Sequence, residues 1–105
     1  MKNIPNVFDD QNWDKAEGYQ EGTKIKVLRH ENGAKTVLLK LPKNFFMDAH
    51  SHVSSEQHFV LEGEYTLKDQ NYPKGSFQYF AAHDQHGPFK SKNGAMVLII
   101  WDPIK

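Results

Sequence analysis

Short runs of alternating polar and apolar residues, separated by turn formers, constrain the fold of this chain more than any other feature. Between residues 23 and 30, Ile25 and Val27 alternate with lysines, which is the period of two of a half-buried β-strand. Asn32-Gly33 is a hairpin signal, because both residues accept positive φ, and residues 34–41 read as the returning strand. No stretch keeps a helical period. The pattern predicts an all-β barrel or sandwich.

Further strands are predicted after residue 58, at 59–61, 64–68, 77–80 and 95–102. The turn-rich segment 69–75 is predicted to be a loop, and residues 92–94 a second hairpin turn. Residues 42–48 are predicted to be a connection. Residues 1–22 keep no sustained period, so they are predicted to form an N-terminal arm ahead of a barrel at 23–105. We expect Trp13 of this arm to pack against its own barrel or to reach a neighbouring subunit.

The last predicted strand is apolar on both faces. Its side chains fall into two alternating rows, Met96, Leu98 and Ile100 on one side and Val97, Ile99 and Trp101 on the other. A strand with two apolar faces is usually buried on both. One face would line the barrel, and the other needs cover that a short chain hardly provides. This pattern predicts a homodimer.

The stretch around His50 carries the strongest chemical signal. In an extended segment His50 and His52 point to the same side, one pleat apart, and Glu56 follows after a short break. With His86 further along the chain, these residues offer three imidazole nitrogens and one carboxylate. Such a set suits a divalent first-row transition metal, with iron, manganese, nickel and zinc all open.

These residues and their spacing resemble the two motifs of the cupin family. His50, His52, Glu56 and Gly63 match the first motif, and Gly75 and His86 match the second. The resemblance implies a cupin-type jelly-roll β-barrel in a single domain, with His50, His52, Glu56 and His86 as metal ligands. The spacing is most similar to the cupin-like domain of the anti-sigma-factor type.

Four positions depart from the family motifs. Asn44 and His83 stand where the motifs have glycine, Ala81 where they have proline, and Lys90 where they have asparagine. Asparagine tolerates positive φ better than most residues, so a turn at Asn44 is expected to survive. The other three replacements surround the expected ligands and do not remove any of them.

His58 is the candidate catalytic residue, because two residues after Glu56 a regular strand points it into the same cavity. Its near-neutral pKa suits proton transfer, and the alternatives are a hydrogen-bond partner of a ligand, a fifth ligand or a plain cavity-lining histidine. His83 and Asp84 are expected in an exposed turn, although a bond to a metal-bound histidine is the other reading. The aromatic candidates for the cavity wall are Tyr65, Phe77, Tyr79, Phe80 and Phe89.

The charge and composition of the chain limit the kinds of partner that it is expected to bind. Thirteen basic and thirteen acidic residues create no field that would attract nucleic acid or an anionic membrane. The longest apolar run, residues 96–101, is too short to span a bilayer, and the first residues lack the apolar core of a signal peptide. The expected location is therefore the cytoplasm, and the expected partner is a small molecule.

Two functions remain open from the sequence. One is a metal-dependent enzyme, with an oxygenase favoured, acting on a small anionic or enolisable molecule, since a divalent ion with one carboxylate ligand attracts anionic oxygen. The other is a non-catalytic metal-bearing module that binds or senses a ligand, as the resemblance to the anti-sigma type implies. The barrel fold by itself does not choose between them.

Overall fold

The computed structural model of the chain describes residues 3–104, and these residues form nine β-strands and no helix. The strands are β1 (Asp14–Lys15), β2 (Lys24–Glu31), β3 (Ala34–Leu41), β4 (Phe45–Met47), β5 (Glu56–Leu67), β6 (Gln70–Pro73), β7 (Phe77–Phe80), β8 (Phe89–Ser91) and β9 (Ala95–Trp101). The predicted all-β fold and the predicted β2–β3 hairpin are both confirmed.

The long strand β5 joins the two halves of the barrel. Its first half pairs with β7 and β9, and its second half pairs with β6 and β8. The register shifts between Val60 and Glu62, and Gly63 adopts a φ of 70° just beyond the shift. A bulge with a left-handed glycine bends a strand sharply, so β5 can belong to both sheets of the jelly roll.

The sheets close around an apolar interior. The strand order β1-β2-β3-β9-β5-β8-β4, with β6 and β7 also paired to β5, curls so that one row of β9 faces inward. Val97 and Ile99 of that row belong to the buried core, together with Val37 and Leu39 of the neighbouring β3. The two rows predicted for β9 are therefore real, and one of them lines the barrel.

Four local predictions are wrong. The two strands expected at 59–61 and 64–68 are one continuous strand, β5, which begins at Glu56. Residues 42–48 contain the short strand β4, which pairs with β8, and the expected loop at 69–75 contains β6, which pairs with β5. Residues 92–94 do turn the chain, but β8 and β9 are not paired with each other, because β8 joins β4 and β9 joins β3. Pairing with strands that are distant in the chain determines the structure of these segments. The local turn propensity of the sequence does not reveal that pairing.

The N-terminal segment packs on its own barrel. Strand β1 pairs with β2, and the half-buried Trp13 lies beneath the ammonium groups of Lys26 and Lys40, 4.7 and 5.8 Å from its ring centre. Lys26 also donates a hydrogen bond to the carbonyl of Asp9. The first of the two readings of Trp13 is thus the observed one. The division into an arm at 1–22 and a barrel at 23–105 stays a prediction, and residues 1, 2 and 105 lie outside the described residues.

Candidate metal centre

Two irregular segments bring the four expected ligands together. His50 and His52 lie in the connection between β4 and β5, while His86 lies between β7 and β8. His50 and His86 form an isolated antiparallel bridge, with N–O distances of 2.9 and 2.8 Å in the two directions. Glu56 is the first residue of β5, which begins three residues earlier than the strand predicted at 59–61. The bridge holds the two histidine segments face to face at the barrel end where β5 begins.

The candidate ligand atoms of His50, His52, Glu56 and His86 all lie within 4.8 Å of one another. Nε2 of His86 is 2.8 Å from Oε1 of Glu56, and Nε2 of His52 is 3.9 Å from Oε2. Glu56 and His86 are buried, whereas His50 and His52 are half-buried. The cluster therefore reaches from the interior toward the solvent, which leaves one side accessible to a small molecule.

The charges of the cluster influence one another. Burial by itself would raise the pKa of Glu56, but the contact with His58 and the positive charges of His58, His86 and His52 hold it below its usual value. Burial lowers the pKa of His86. The Glu56 charge opposes this effect, and the neighbouring histidines reinforce it. An ionised carboxylate beside a neutral imidazole is the protonation pattern that a metal requires.

The orientation of His86 and His50 fits a divalent cation. Although His86 Nε2 is 2.8 Å from the carboxylate, neither ring nitrogen of this buried side chain forms a hydrogen bond within residues 3–104. Such orphaned buried groups are rare and call for an explanation. Nδ1 of His50 lies 3.0 Å from the Asp48 carbonyl, the kind of bond that orients metal-binding histidines. The residues present are compatible with a metal ion; they do not identify it.

His58 begins a second polar chain next to the cluster. Its Nε2 is 3.3 Å from Oε1 of Glu56, and its Nδ1 is 3.2 Å from the hydroxyl of Tyr65. That hydroxyl donates to Oε1 of Gln78 over 2.6 Å. Since the hydroxyl gives its only hydrogen to Gln78, Nδ1 of His58 must be the donor to Tyr65. The other ring nitrogen of His58, Nε2, faces the carboxylate of Glu56.

A small cavity of about 40 Å³, partly open to solvent, adjoins both groups. Its wall contains His50, His52, Glu56 and His58, and is otherwise mostly apolar. Of the aromatic residues predicted to line it, Tyr65 and Phe89 do so, and Phe80 is buried in the core. Phe77 and Tyr79 are more than half exposed on the outside, so their prediction is wrong. They occupy the outward positions of β7, whose alternation the sequence shows without telling which row faces inward.

Two polar residues of the cavity region were missed by sequence reasoning. Tyr19 lines the wall, and Gln78 ends the hydrogen-bonded chain. Gln78 lies opposite His58 in the β5–β7 register, so an amide between two aromatic residues was an available signal. Tyr19 offered no such signal in the sequence, because residues 1–22 keep neither a helical nor a strand period.

The replaced motif positions keep their local geometry. Asn44 and His83 have φ values of 60° and 69°, so both retain the left-handed conformation that glycine would adopt. The exposed His83 turns its side chain to solvent, and its backbone N–H donates to the carbonyl of His52 over 2.7 Å. His83 and Asp84 therefore lie in an exposed turn, as expected.

The comparisons with known proteins agree with this picture. The family profile described as the ChrR Cupin-like domain matches residues 4–105. A search of curated proteins finds no match. Similar solved structures include the complex of Rhodobacter sphaeroides SigE with the anti-sigma ChrR, at TM-score 0.75 and 21% identity over 90% of this chain and 51% of that chain. This chain thus spans about half the length of that protein.

Two further structures show the same fold. An RmlC-like cupin from Ralstonia eutropha has TM-score 0.78 and 20% identity over 98% of this chain and 69% of its own. An acetylacetone dioxygenase from Acinetobacter johnsonii has TM-score 0.78 and 14% identity over 96% of this chain and 74% of its own. At such identities the similarity establishes the fold alone. Residues 3–104 contain no helix that is long and apolar enough to cross a membrane.

Proposed function

Because this chain belongs to the ChrR cupin-like domain family, we propose that it binds a divalent transition metal and uses it to hold a small anionic molecule for oxidation. The ligands are His50, His52, Glu56 and His86. The proposal places the activity with the metal-dependent oxygenases and the location in the cytoplasm, as expected from the sequence.

The observation that carries the proposal is the convergence of His86 and Glu56. Two atoms that ligate the same ion at about 2.1 Å would lie roughly 3–3.5 Å apart. His86 Nε2 and Glu56 Oε1 are separated by 2.8 Å without forming a hydrogen bond. A shared third partner explains both facts, since each atom then points at that partner.

The metal, when bound, would supply a Lewis acid and a place for dioxygen and substrate to meet. The chain's own contribution lies in the surroundings. The apolar wall of the cavity would exclude water from a bound molecule. With a divalent ion in place, the single carboxylate of Glu56 would leave the site with a net positive charge, which favours an anionic ligand. His58 lines the same cavity beside Glu56 and is the residue suited to accept a proton from that ligand.

Metal content is the first test. Protein purified without an affinity tag and reconstituted in turn with iron, manganese, nickel and zinc should carry close to one ion per chain by elemental analysis. His52→Ala should lose most of it, whereas His30→Ala should not, because His30 is an exposed residue of β2, which is separated from β5 by β3 and β9. Wild-type protein without stoichiometric metal would end the proposal.

Turnover is the second test. Protein reconstituted anaerobically with iron(II) would be mixed with diketones, thiols and aromatic diols, and oxygen uptake recorded. Uptake above the background of His86→Ala supports an oxygenase. His58→Gln should lower the rate more than it lowers ligand binding, since it removes the proton acceptor and leaves the cluster intact.

The family match favours a second candidate, a metal-bearing module that binds or senses a ligand without turnover. The related ChrR is described as an anti-sigma in complex with SigE, so a protein that responds to the ligand state would be the partner. Ligands that shift the metal spectrum or the melting temperature without oxygen uptake would select this candidate over the enzyme.

A further inference from the structure

The loop between β1 and β2, residues 16–23, is closed on itself. The N–H of Ala16 donates to the carbonyl of Thr23 over 3.0 Å, and the N–H of Thr23 donates to the carbonyl of Gln20 over 3.1 Å. Ala16 and Thr23 are both buried, at 3% and 1% exposure. The base of the loop is thus fixed in the barrel, although most of the loop belongs to the segment that the sequence predicts as an N-terminal arm.

The tip of the same loop is tied to the opposite rim of the cavity. Nε2 of Gln20 donates to the carbonyl of Asn44 over 3.3 Å, and Oε1 of Gln20 accepts from the N–H of Phe46 over 2.9 Å. One amide side chain therefore holds the loop against the start of β4. This contact fixes the position of the neighbouring Tyr19.

Tyr19 lies at the mouth of the cavity. It lines the interior with Glu56 and His58, and it also borders the outer groove beside His50 and His52. Its ring packs against the buried core. Within residues 3–104 its hydroxyl has no hydrogen-bond partner, unlike that of Tyr65, which is held by His58 and Gln78.

The Tyr19 hydroxyl stays protonated at any physiological pH. Burial, followed by the negative charge of Glu56, raises the pKa of Tyr19 to about 12. A phenol of this kind is a hydrogen-bond donor and not an anion. It is thus a free donor at the entrance of a site that favours anions.

We propose that Tyr19 is a ligand-binding residue of this cavity, whose hydroxyl donates a hydrogen bond to an anionic oxygen of the small molecule held at the metal. The inference rests on the metal site of the proposed function. The loop at residues 16–23 would then contact the ligand directly. Neutral ligands without a free hydrogen-bond acceptor should gain no affinity from Tyr19.

Ligand affinity of the cobalt(II)-loaded protein, followed by the metal's visible spectrum, tests the inference. The anionic probe is acetylacetone, which binds metals as its enolate, and the neutral probe is pyridine, whose only acceptor is used by the metal. Tyr19→Phe should weaken acetylacetone binding about tenfold, as expected for a lost hydrogen bond to a charged group, and leave pyridine binding unchanged. Tyr79→Phe, the same change on the exposed outer face, should alter neither.

Gln20→Ala provides a second variant, which keeps the hydroxyl and frees the loop. It should weaken acetylacetone binding in the same direction as Tyr19→Phe, but by a smaller factor. Equal acetylacetone affinity in wild type and Tyr19→Phe overturns the inference and leaves the metal site standing. Equal weakening of both probes also overturns it, because it shows a structural role. Wild-type protein that takes up cobalt but binds neither probe overturns the proposed function together with the inference.

Discussion

At the scale of single residues, the hydroxyl of Tyr65 links His58 to Gln78. It accepts from Nδ1 of His58 and donates to Gln78, and all three side chains are at least half-buried. We expect Tyr65→Phe to cost about 1–3 kcal/mol of unfolding free energy, because it leaves a buried donor on His58 and a buried acceptor on Gln78 without partners. Urea denaturation of the metal-free protein measures this loss.

Tyr72→Phe is the matched control for that prediction. Tyr72 lies opposite Tyr65 in the β5–β6 register and contacts its ring at 5.8 Å, but no hydrogen bond within residues 3–104 depends on its hydroxyl. Its loss should change stability by less than about 0.5 kcal/mol. If the two variants have the same stability, the hydrogen-bonded chain contributes nothing to the fold.

Tyr19 gives the protein a predictable response to alkaline pH. Its pKa is about 12 in the folded state and 10.0 as an ordinary tyrosine, so above pH 10 the unfolded chain loses a proton that the folded chain keeps. This favours unfolding. The contribution of Tyr19 is therefore complete below pH 10 and is lost as pH rises toward 12. Melting temperatures should fall more steeply between pH 10 and 11.5 in wild type than in Tyr19→Phe, and parallel curves would contradict this.

Some residues of the site can be predicted from the sequence and others cannot, because only some of them are close together in the chain. His50, His52 and Glu56 are close in the chain, so their spacing alone limits where their side chains can meet. His86 follows only from the family motif, because it reaches the site through a bridge to His50. Tyr19 depends on the bonds of Gln20 to residues 44 and 46, and such long-range contacts leave no local pattern.

At the scale of elements, the bulge of β5 is the point at which the barrel bends. A Cβ on Gly63 would lie 2.8 Å from Cα of Ala95 and would also clash with the carbonyl oxygen of Gly94. Both are backbone atoms of the tight turn into β9, so neither can move aside. We expect Gly63→Ala to cost about 3 kcal/mol or more, from overpacking together with the strain of positive φ. Thermal or urea unfolding measures the effect.

Gly75→Ala separates the cost of overpacking from the strain of positive φ. Gly75 also has positive φ, 93°, but a Cβ there would meet nothing within 4 Å. It should therefore cost only the conformational strain, about 1 kcal/mol. Equal losses at Gly63 and Gly75 would mean that the close approach of β5 and β9 is not what stabilises the bend.

The elements differ in how well their sequence reveals them. β2, β3, β7 and β9 alternate clearly and were predicted within about two residues, as expected where the pattern is strong. β4 and β6 are three or four residues long, too short to show a period, and they exist because β8 and β5 offer them partners. The turn at 92–94 was found, but the pairing of its two strands depends on how the barrel closes.

At the scale of the whole molecule, one face of the larger sheet remains uncovered. Phe59 of β5 lies opposite Phe77 of β7 and also opposite Leu98 of β9. Tyr79 and Ile100 flank Gln57 one step along the same strands. We call Phe59, Phe77, Tyr79, Leu98 and Ile100 the outer apolar patch. It contains the second apolar row of β9, from which the sequence predicts a dimer, and contiguous exposed apolar surface of this kind is typical of interaction sites.

We expect the outer apolar patch to pair with its copy on a second chain, since two copies of one apolar face can bury each other across a two-fold axis. Sedimentation equilibrium at micromolar concentration should give twice the chain mass of 12.1 kDa. Phe77→Glu places a charge on a side chain that is 57% exposed, so it should yield folded monomers whose metal content is unchanged. Phe46→Glu makes the same change on the other sheet, at a side chain 44% exposed, and should remain dimeric. A wild-type monomer would show that the patch is left to solvent or to a different partner, and a dimeric Phe77→Glu would place the interface elsewhere.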